Sequence, residues 1–345
     1  MTPQMKVAVG SRPYDGPWGG GNRFVAALCE ALIAAGHAVV HDLADHDIDL
    51  ILIIDPRTRS PNVCFGAGAI LRYLMLRNPR AIVVHRINEC DERKGEPFIN
   101  HKLVRANYVA DATVFVGEWL TRLPVWREHL RSPWFVLRNG ADTRLFNREH
   151  FRSWTGEGPL RLVTHHWGYH PMKGFDIYAA LDRMMAASEW RERIAFTYVG
   201  NLPKGFTFQN ARYVAPLNGE LLARELQAHH AYLTASQNEP GGNHQNEGAL
   251  CGLPLLYRKS GCMPEYCAGF GIEFNGLADF PAALDRLIAA YSPLAVRMPS
   301  YPHTAQRMTR EWIALFEALL EERATLVARR RVWRDPWTAL INQVL

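Results

Sequence analysis

Short apolar runs alternate with helical stretches along the first third of the chain. The runs are continuous, not alternating, which is typical of strands buried in a parallel sheet; they cover residues 5–9, 37–40, 48–54, 81–85, 112–116 and 134–137. After the first run, Phe24, Val25, Leu28 and Leu32 recur at helical spacing, and Gly36 stands where a helix would end. The pattern predicts a doubly wound α/β domain.

The same rhythm restarts in the second half of the chain. Strand candidates there are 160–166, 194–200, 211–214, 231–236, 253–257 and 271–274. The polar, Gly- and Pro-containing segment 147–159 has no periodic core pattern, so we predict the interdomain linker there. The predicted domains are 1–150 and 151–310, followed by a helical segment, 311–345, interrupted at Pro336. Ligands of such sheets bind beyond the carboxyl ends of the strands.

Composition narrows the class of protein. A chain of 345 residues exceeds what one core usually carries, which agrees with two domains. The net charge of +5 is too small to indicate a nucleic-acid partner, but it suits an anionic small substrate or an anionic membrane surface. Six cysteines without a C-x-x-C pair argue against a zinc site. With no signal-peptide pattern and no apolar run near the length of a membrane span, we predict a cytoplasmic protein with reduced thiols.

Basic residues concentrate near the end of the chain, at Arg329, Arg330, Arg331 and Arg334. They have two interpretations: a solvated helix face, or a contact with lipid headgroups. The second would place the protein peripherally at the inner face of a membrane.

A glycine run, Gly19, Gly20 and Gly21, lies between the first strand and the first helix. Glycines let a backbone approach a ligand closely, and a helix start presents N–H groups to an anion. The loop therefore predicts a phosphate contact, with a flexible turn as the alternative. The run is not G-x-G-x-x-G, so a nicotinamide dinucleotide is not indicated.

Several segments, in order, resemble glycosyltransferase family 4 and its GT-B relatives. They are GGGNRFVAALCEALIAAGHAVV, VLRNGADTRLF, Met172-Lys173-Gly174, Val199-Gly200 and EPGGNHQNEGALCGLPLLY, and they span about residues 5–265. The resemblance implies two Rossmann-like domains facing a central cleft. Segment 1–150 would be the acceptor side, 151–310 would bind the nucleotide sugar, and the helices of 311–345 would cross back to the first domain.

The last of these segments resembles the E-x7-E donor motif of the family. The resemblance implies that Glu247 binds the ribose and Glu239 contacts the donor sugar, since carboxylates accept hydrogen bonds from hydroxyls. Between them, Gly241, Gly242 and Asn243 offer N–H groups at a helix start, to sugar hydroxyls or to the diphosphate. The alternative is a pair of solvated carboxylates.

Bond cleavage at a nucleotide diphosphate builds negative charge on phosphate, which calls for a cation. The resemblance assigns this role to Lys173. The family's second cation, an Arg five residues earlier, is Gly168 in this chain. His165, His166 and Arg12 are the candidates to replace it, together with the glycine loop.

Further candidates come from the first domain and from the hinge. The resemblance suggests that His85, placed at the end of strand 81–85, orients the sugar or the acceptor; a structural role is the alternative. Asn88, Glu89 and Asn139 are candidate donor or acceptor contacts. A D-x-D motif is lacking at the carboxyl end of any predicted strand, so we predict no metal and no cofactor.

The resemblance thus implies a retaining, hexosyltransferase-type enzyme of polysaccharide biosynthesis, which we predict to be metal-independent. Its donor would be a UDP- or GDP-linked sugar and its acceptor a hydroxyl of a glycan or lipid-linked molecule. The leaving phosphate would help to deprotonate the acceptor on the same face of the sugar. Two alternatives stay open: a GT-B nucleotide-sugar epimerase or hydrolase, and a non-catalytic sugar-binding relative. The sequence leaves the acceptor and the oligomeric state open.

Overall fold

The structure is a computed structural model that describes residues 4–14, 20–57, 60–93, 95, 97–331 and 335–344. The chain divides into two compact units. Unit 1 comprises Met1–Arg138 and Arg307–Leu345, and unit 2 comprises Asn139–Gln306.

Unit 1 is built on a six-stranded parallel sheet in the order β2-β1-β3-β4-β5-β6. The strands are β1 Lys6–Val9, β2 Ala38–Val40, β3 Leu50–Ile53, β4 Ile82–Ile87, β5 Ala112–Phe115 and β6 Trp134–Val136. The helices of its first segment are α1 Gly20–Ala34, α2 Ala67–Leu76, α3 Ile99–Asn107, α4 Glu118–Thr121 and α5 Pro124–His129.

Helix α1 shows how the sequence pattern fixes a local structure. Its apolar stripe, Phe24, Val25, Leu28 and Leu32, is buried. Gly36 ends the helix with φ +85°, a conformation that favours glycine. This agrees with the prediction from the spacing.

Unit 2 repeats the design in the order β12-β11-β10-β7-β8-β9, again all parallel. Its strands are β7 Leu160–His166, β8 Ile194–Gly200, β9 Arg212–Val214, β10 Ala231–Thr234, β11 Leu255–Arg258 and β12 Gly271–Phe274. Its helices are α6 Phe175–Met184, α7 Gly219–Gln227, α8 His244–Leu250, α9 Met263–Cys267, α10 Phe280–Ala289 and α11 Tyr291–Arg297. In the described part of the chain, each predicted strand segment overlaps one of the observed strands, and only β4 and β11 extend beyond their predicted segments.

The C-terminal helices are α12 Ala305–Glu321, α13 Arg323–Arg329 and α14 Pro336–Val344. Trp312 and Phe316 of α12 join the core formed by β1, β3 and α1, and the Trp312 ring lies 5.3 Å from the ring of Phe24. The helical segment is interrupted before Pro336, as predicted: α13 ends at Arg329, and Pro336 begins α14, where the first helical position needs no intrahelical N–H bond.

The observed division falls at Arg138 and Asn139, earlier than the predicted boundary at 150. The segment predicted to be a linker is packed on unit 2. Phe151 is buried, and Trp154 N donates to Tyr291 Oη at 3.0 Å. Isolated aromatic anchors hold this segment, and they produce no periodic pattern that a sequence reading would detect.

Candidate functional site

The strand order of unit 2 reverses between β7 and β10. From β7 the chain proceeds outward to β8 and β9, and from β10 it proceeds the other way to β11 and β12. Loops leaving the carboxyl ends of two such strands diverge and leave a crevice, where ligands of doubly wound sheets bind. Strand β7 ends at His166 and β10 at Thr234. Lys173 follows the end of β7, and Glu239, Gly241, Gly242, Asn243 and Glu247 follow the end of β10.

Lys173 and Glu239 form an ion pair at this crevice. Lys173 Nζ lies 2.6 Å from Glu239 Oε2, and the side chains are only 13% and 7% exposed. Gln237 N donates to the Met172 carbonyl at 2.8 Å, which ties the loop after β10 to the loop after β7. Gly174 permits this approach, since its φ is +98° and a Cβ there would lie 2.3 Å from Ala235 Cβ.

Glu247 lies in the first turn of α8 and is 3% exposed. His165 Nε2 lies 2.8 Å from Glu247 Oε2, and the Tyr232 hydroxyl lies 3.0 Å from His165 Nδ1. A carboxylate only accepts, so Nε2 is the donor to Glu247, and in that tautomer Nδ1 accepts from the Tyr232 hydroxyl. Gly248 brings α8 against β10, because a Cβ there would lie 2.3 Å from the Tyr232 ring. The Tyr232–His165 chain therefore fixes the orientation of the Glu247 carboxylate.

Two further histidines lie beneath the crevice. The rings of His166 and His244 are 4.8 Å apart; His166 Nε2 lies 2.7 Å from Tyr178 Oη, and His244 Nε2 lies 2.8 Å from Thr234 Oγ1. Burial lowers the pKa of His244 to about 3 and holds the pKa of His166 well below its usual range. These two rings are neutral near pH 7, so they supply hydrogen bonds and no positive charge to replace the family's Arg.

Asn139, which was predicted to lie at the hinge, and the segment 241–243 between the two glutamates are joined by hydrogen bonds within unit 2. Asn139 Nδ2 donates to the Gly241 carbonyl at 2.5 Å, and Asn243 Nδ2 donates to the Gly140 carbonyl at 3.2 Å. A Cβ at Gly242 would lie 3.0 Å from Glu239 Cγ, so the glycine allows the loop to close on Glu239. The amides of Asn139 and Asn243 hold the shape of the loop.

Sequence reasoning missed two buried polar groups at this site. Ser236 follows β10 and Gln245 lies in α8, and both side chains are fully buried. Neither Ser236 Oγ nor Gln245 Oε1 has a hydrogen-bond partner among the described residues. Because an unsatisfied buried polar atom is costly, these atoms are suited to meet a ligand. Ser236 could have been found from its position as the last residue of the predicted strand 231–236.

In unit 1 the structure corrects the placement of His85. The strand continues to Ile87, so His85 lies inside β4 and not at its end, and it is fully buried. His85 Nδ1 lies 3.0 Å from Asn107 Oδ1, which also accepts from the Thr113 hydroxyl. Burial lowers the pKa of His85 to about 4. The strand-end reading was wrong because the run of apolar residues stops at His85 while the backbone pairing does not.

Other unit 1 candidates lie near the carboxyl edge of its sheet. Gly20 and Gly21 form the start of α1, and a Cβ on Gly21 would lie 4.0 Å from Asn88 Nδ2. The Glu89 carboxylate pairs with Arg93 at 2.9 Å, and the Arg12 side chain is exposed. The predicted contact at Gly19 lies outside the described residues. The sequence did not indicate Arg86, whose fully buried guanidinium lies 3.9 Å from the centre of the Phe24 ring.

Metal-binding clusters of three or more His, Cys, Asp or Glu side chains are absent from the described part of the chain. Among its described helices, none is both long and apolar enough to span a bilayer.

Solved structures with a similar fold are glycosyltransferases or related enzymes. Sucrose-phosphate synthase from Thermosynechococcus elongatus matches with a TM-score of 0.63 at 15% identity, over 92% of this chain and 100% of that chain. HepE of Anabaena in complex with UDP matches with a TM-score of 0.65 at 12% identity, over the same shares. AviGT4, a glycosyltransferase of avilamycin A biosynthesis, matches with a TM-score of 0.59 at 16% identity, over 92% of this chain and 98% of that chain.

Neither a protein-family model nor a curated protein sequence matches the chain. The structural likeness at 12–16% identity establishes architecture. The chain has the GT-B fold, with two Rossmann-like units of six parallel strands each.

Proposed function

We propose that the protein is a retaining glycosyltransferase that uses a UDP- or GDP-linked sugar. The observation that carries the proposal is the pair of buried carboxylates, Glu239 and Glu247, held with Lys173 at the strand-order reversal of unit 2. HepE, whose structure is similar, has been solved with UDP-glucose, which supports this donor class.

In this proposal Glu247 accepts hydrogen bonds from the ribose hydroxyls. Its carboxylate is already oriented by His165, so little ordering remains when the ribose arrives. A hydrogen bond to a charged group contributes about 1.5–3 kcal/mol. Ser236 Oγ and Gln245 Oε1 are additional groups for the nucleotide sugar.

The ion pair of Lys173 and Glu239 would open when the donor binds. Without donor, each partner offsets the desolvation of the other. With donor, Lys173 would turn to the phosphates, and Glu239 would accept from hydroxyls of the sugar. Both charged side chains therefore have a partner before and after the donor binds. The ion pair opens only for a ligand that offers both an anion and hydroxyls.

In the transfer step, the bond between the sugar C1 and the phosphate oxygen breaks, and its electron pair goes to the leaving phosphate. Lys173 stabilises the charge that develops there. The acceptor oxygen bonds to C1 on the same face, and its proton passes to the leaving phosphate. Glu239 and Glu247 remain binding groups in this scheme.

The first unit is assigned the acceptor, a hydroxyl of a glycan or lipid-linked molecule. Arg12, Asn88 and Glu89 remain candidate contacts to the donor or the acceptor, and Gly20 and Gly21 remain candidate contacts to the donor phosphate. His85 acts in this proposal as a positioning residue, since its side chain is buried against Asn107. We further propose metal-independent turnover in polysaccharide biosynthesis, at a cytoplasmic location.

The test incubates the full chain with UDP-, GDP-, ADP- and CMP-linked sugars and measures thermal shift, donor hydrolysis and transfer to a glycan panel. A saturating donor should stabilise the protein; 100-fold excess over Kd corresponds to about 2.7 kcal/mol. Glu247→Gln and Lys173→Met should abolish both the shift and turnover, whereas Glu189→Gln, an exposed carboxylate elsewhere in unit 2, should change neither.

Other outcomes would redirect the proposal. An epimerised donor would indicate a GT-B epimerase, and binding without hydrolysis or transfer would indicate a non-catalytic relative. No binding of any nucleotide sugar would refute the assignment of the crevice.

A further inference from the structure

Helix α14 carries an apolar outer face. Its sequence, PWTALINQV, contains no charged residue. Ala339 and Asn342 face inward and are buried, while Trp337, Leu340 and Ile341 are 76%, 47% and 46% exposed. Surface helices normally present polar residues to water and one apolar stripe to the core. Here the stripe opposite the buried face is apolar as well, which indicates that something other than water covers it.

A second exposed apolar residue lies on the same surface. Phe98 precedes α3, is 65% exposed, and has φ +91°, a conformation that is an outlier for a bulky residue. Phe98 and Ile341 line the same groove, which has a volume of about 930 Å³. The groove lies at the amino ends of β5 and β6, the sheet edge opposite the one that binds ligands in this type of fold.

Cations line this groove. They are Lys102, Arg105, Arg131 and Arg329, and none has a carboxylate partner among the described residues. Lys102 lies in the first half of α3, whose first turn carries no acidic residue, although the helix dipole disfavours a cation there. Its position therefore does not arise from helix stability.

The two carboxylates that line the same groove, Asp111 and Asp335, are bonded to other groups of unit 1. Asp111 pairs with Arg330, whose Nε lies 2.9 Å from Asp111 Oδ1, and Asp335 accepts from the backbone N–H of Trp337 at 3.1 Å. Arg330 also donates to the Pro79 carbonyl at 2.7 Å. Arg330 is thus a structural residue, and neither interpretation offered from the sequence, a solvated helix face or a lipid contact, holds for it.

We propose that this surface, formed by Phe98, Trp337, Leu340, Ile341 and the surrounding cations, docks unit 1 on an anionic phospholipid bilayer. The apolar side chains enter the interfacial region, where tryptophan is favoured, and the cations contact headgroup phosphates. The combination of an uncharged apolar helix face with unpaired cations at its border fits a bilayer surface, which offers hydrocarbon and anionic phosphate together. This inference does not depend on the proposed transferase activity.

The test is flotation of the full chain with vesicles of phosphatidylcholine alone or mixed with phosphatidylglycerol. The protein should float with the anionic vesicles and not with phosphatidylcholine alone. Trp337→Gln/Leu340→Gln should lower the partition coefficient by about tenfold or more, as expected for two exposed apolar side chains that enter the interface. Lys102→Gln should lower it about fivefold, as expected for one cation near an anionic surface.

Leu221→Gln is the matched control, since Leu221 is 67% exposed on α7 of unit 2 and should leave partitioning unchanged. Circular dichroism checks that each variant is folded. The proposal is overturned if the parent protein does not float, if it floats equally with both vesicle types, or if the double variant binds like the parent. A dimer in sedimentation that the double variant disrupts would instead assign the surface to a second copy of the chain.

Discussion

The ion pair between Lys173 and Glu239 should be visible as a coupling energy in the unliganded protein. Lys173→Met leaves the Glu239 carboxylate without its closest cation in a site where the two side chains are 13% and 7% exposed. Breaking a fully buried pair costs about 3–5 kcal/mol; the residual exposure and the further contacts of both residues reduce the expected loss to about 2–3 kcal/mol. Lys173→Met/Glu239→Gln removes both charges and should lie within about 1 kcal/mol of the parent protein.

The measurement is a double-mutant cycle by urea unfolding, followed by tryptophan fluorescence and circular dichroism so that a two-state analysis can be checked. The control cycle uses Arg193 and Asp285, which lie 2.5 Å apart but are 40% and 53% exposed. An exposed pair of this kind should give a coupling energy of about 0.2–1 kcal/mol. Since the two pairs have similar lengths, the difference between the cycles isolates burial. A coupling energy for Lys173 and Glu239 no larger than the control would refute the reasoning.

Three further predictions follow from the geometry of unit 2. Gly174→Ala should destabilise the protein by more than about 2 kcal/mol and weaken nucleotide binding, because the new Cβ combines a positive φ with a clash against Ala235. The control is Gly205→Ala, where φ is +78° and no atom lies within 4 Å, so that only the backbone strain of about 1 kcal/mol is expected. His165→Ala should weaken binding of UDP about tenfold and binding of 2′-deoxy-UDP less in titration calorimetry, and equal losses would contradict a role in orienting Glu247 towards the ribose. As the pH falls, His244 is protonated near pH 6.5 in the unfolded chain, but in the folded chain only near its lowered pKa of about 3. The free energy of unfolding should therefore fall by up to about 1.4 kcal/mol per pH unit as the pH drops below about 6.5, and His244→Gln should reduce that slope in urea titrations.

The sheets of both units were predictable from the sequence, since buried parallel strands require continuous apolar runs such as 50–53 and 160–166. Helix ends were predictable where a glycine is required, as at Gly36. The interdomain boundary was not, because Phe151 and Trp154 anchor their segment individually and leave no periodic signal. The interruption at Pro336 was predictable because a proline fits the first turn of a helix but not its interior.

The candidate site was predictable to the level of its motif. The E-x7-E segment and the Lys-Gly pair indicated Glu239, Glu247 and Lys173, and the structure brings Lys173 and Glu239 into contact. The sequence did not show which side chain each carboxylate contacts, since His165 and its partner Glu247 are far apart in the chain. The neutrality of His244 depends on burial, a property that its position in the sequence does not reveal.

Because the C-terminal helices belong to unit 1, the two units complete their cores at different times during synthesis. Unit 2 is a continuous stretch of chain, Asn139–Gln306, whereas unit 1 needs both its first 138 residues and the segment after Gln306. During synthesis, unit 2 can complete its core while β1 and α1 still lack Trp312 and Phe316. The apolar surface of the first unit therefore stays open until the end of translation. A chain cut before α12 would retain the candidate crevice but lose the cover of its first sheet.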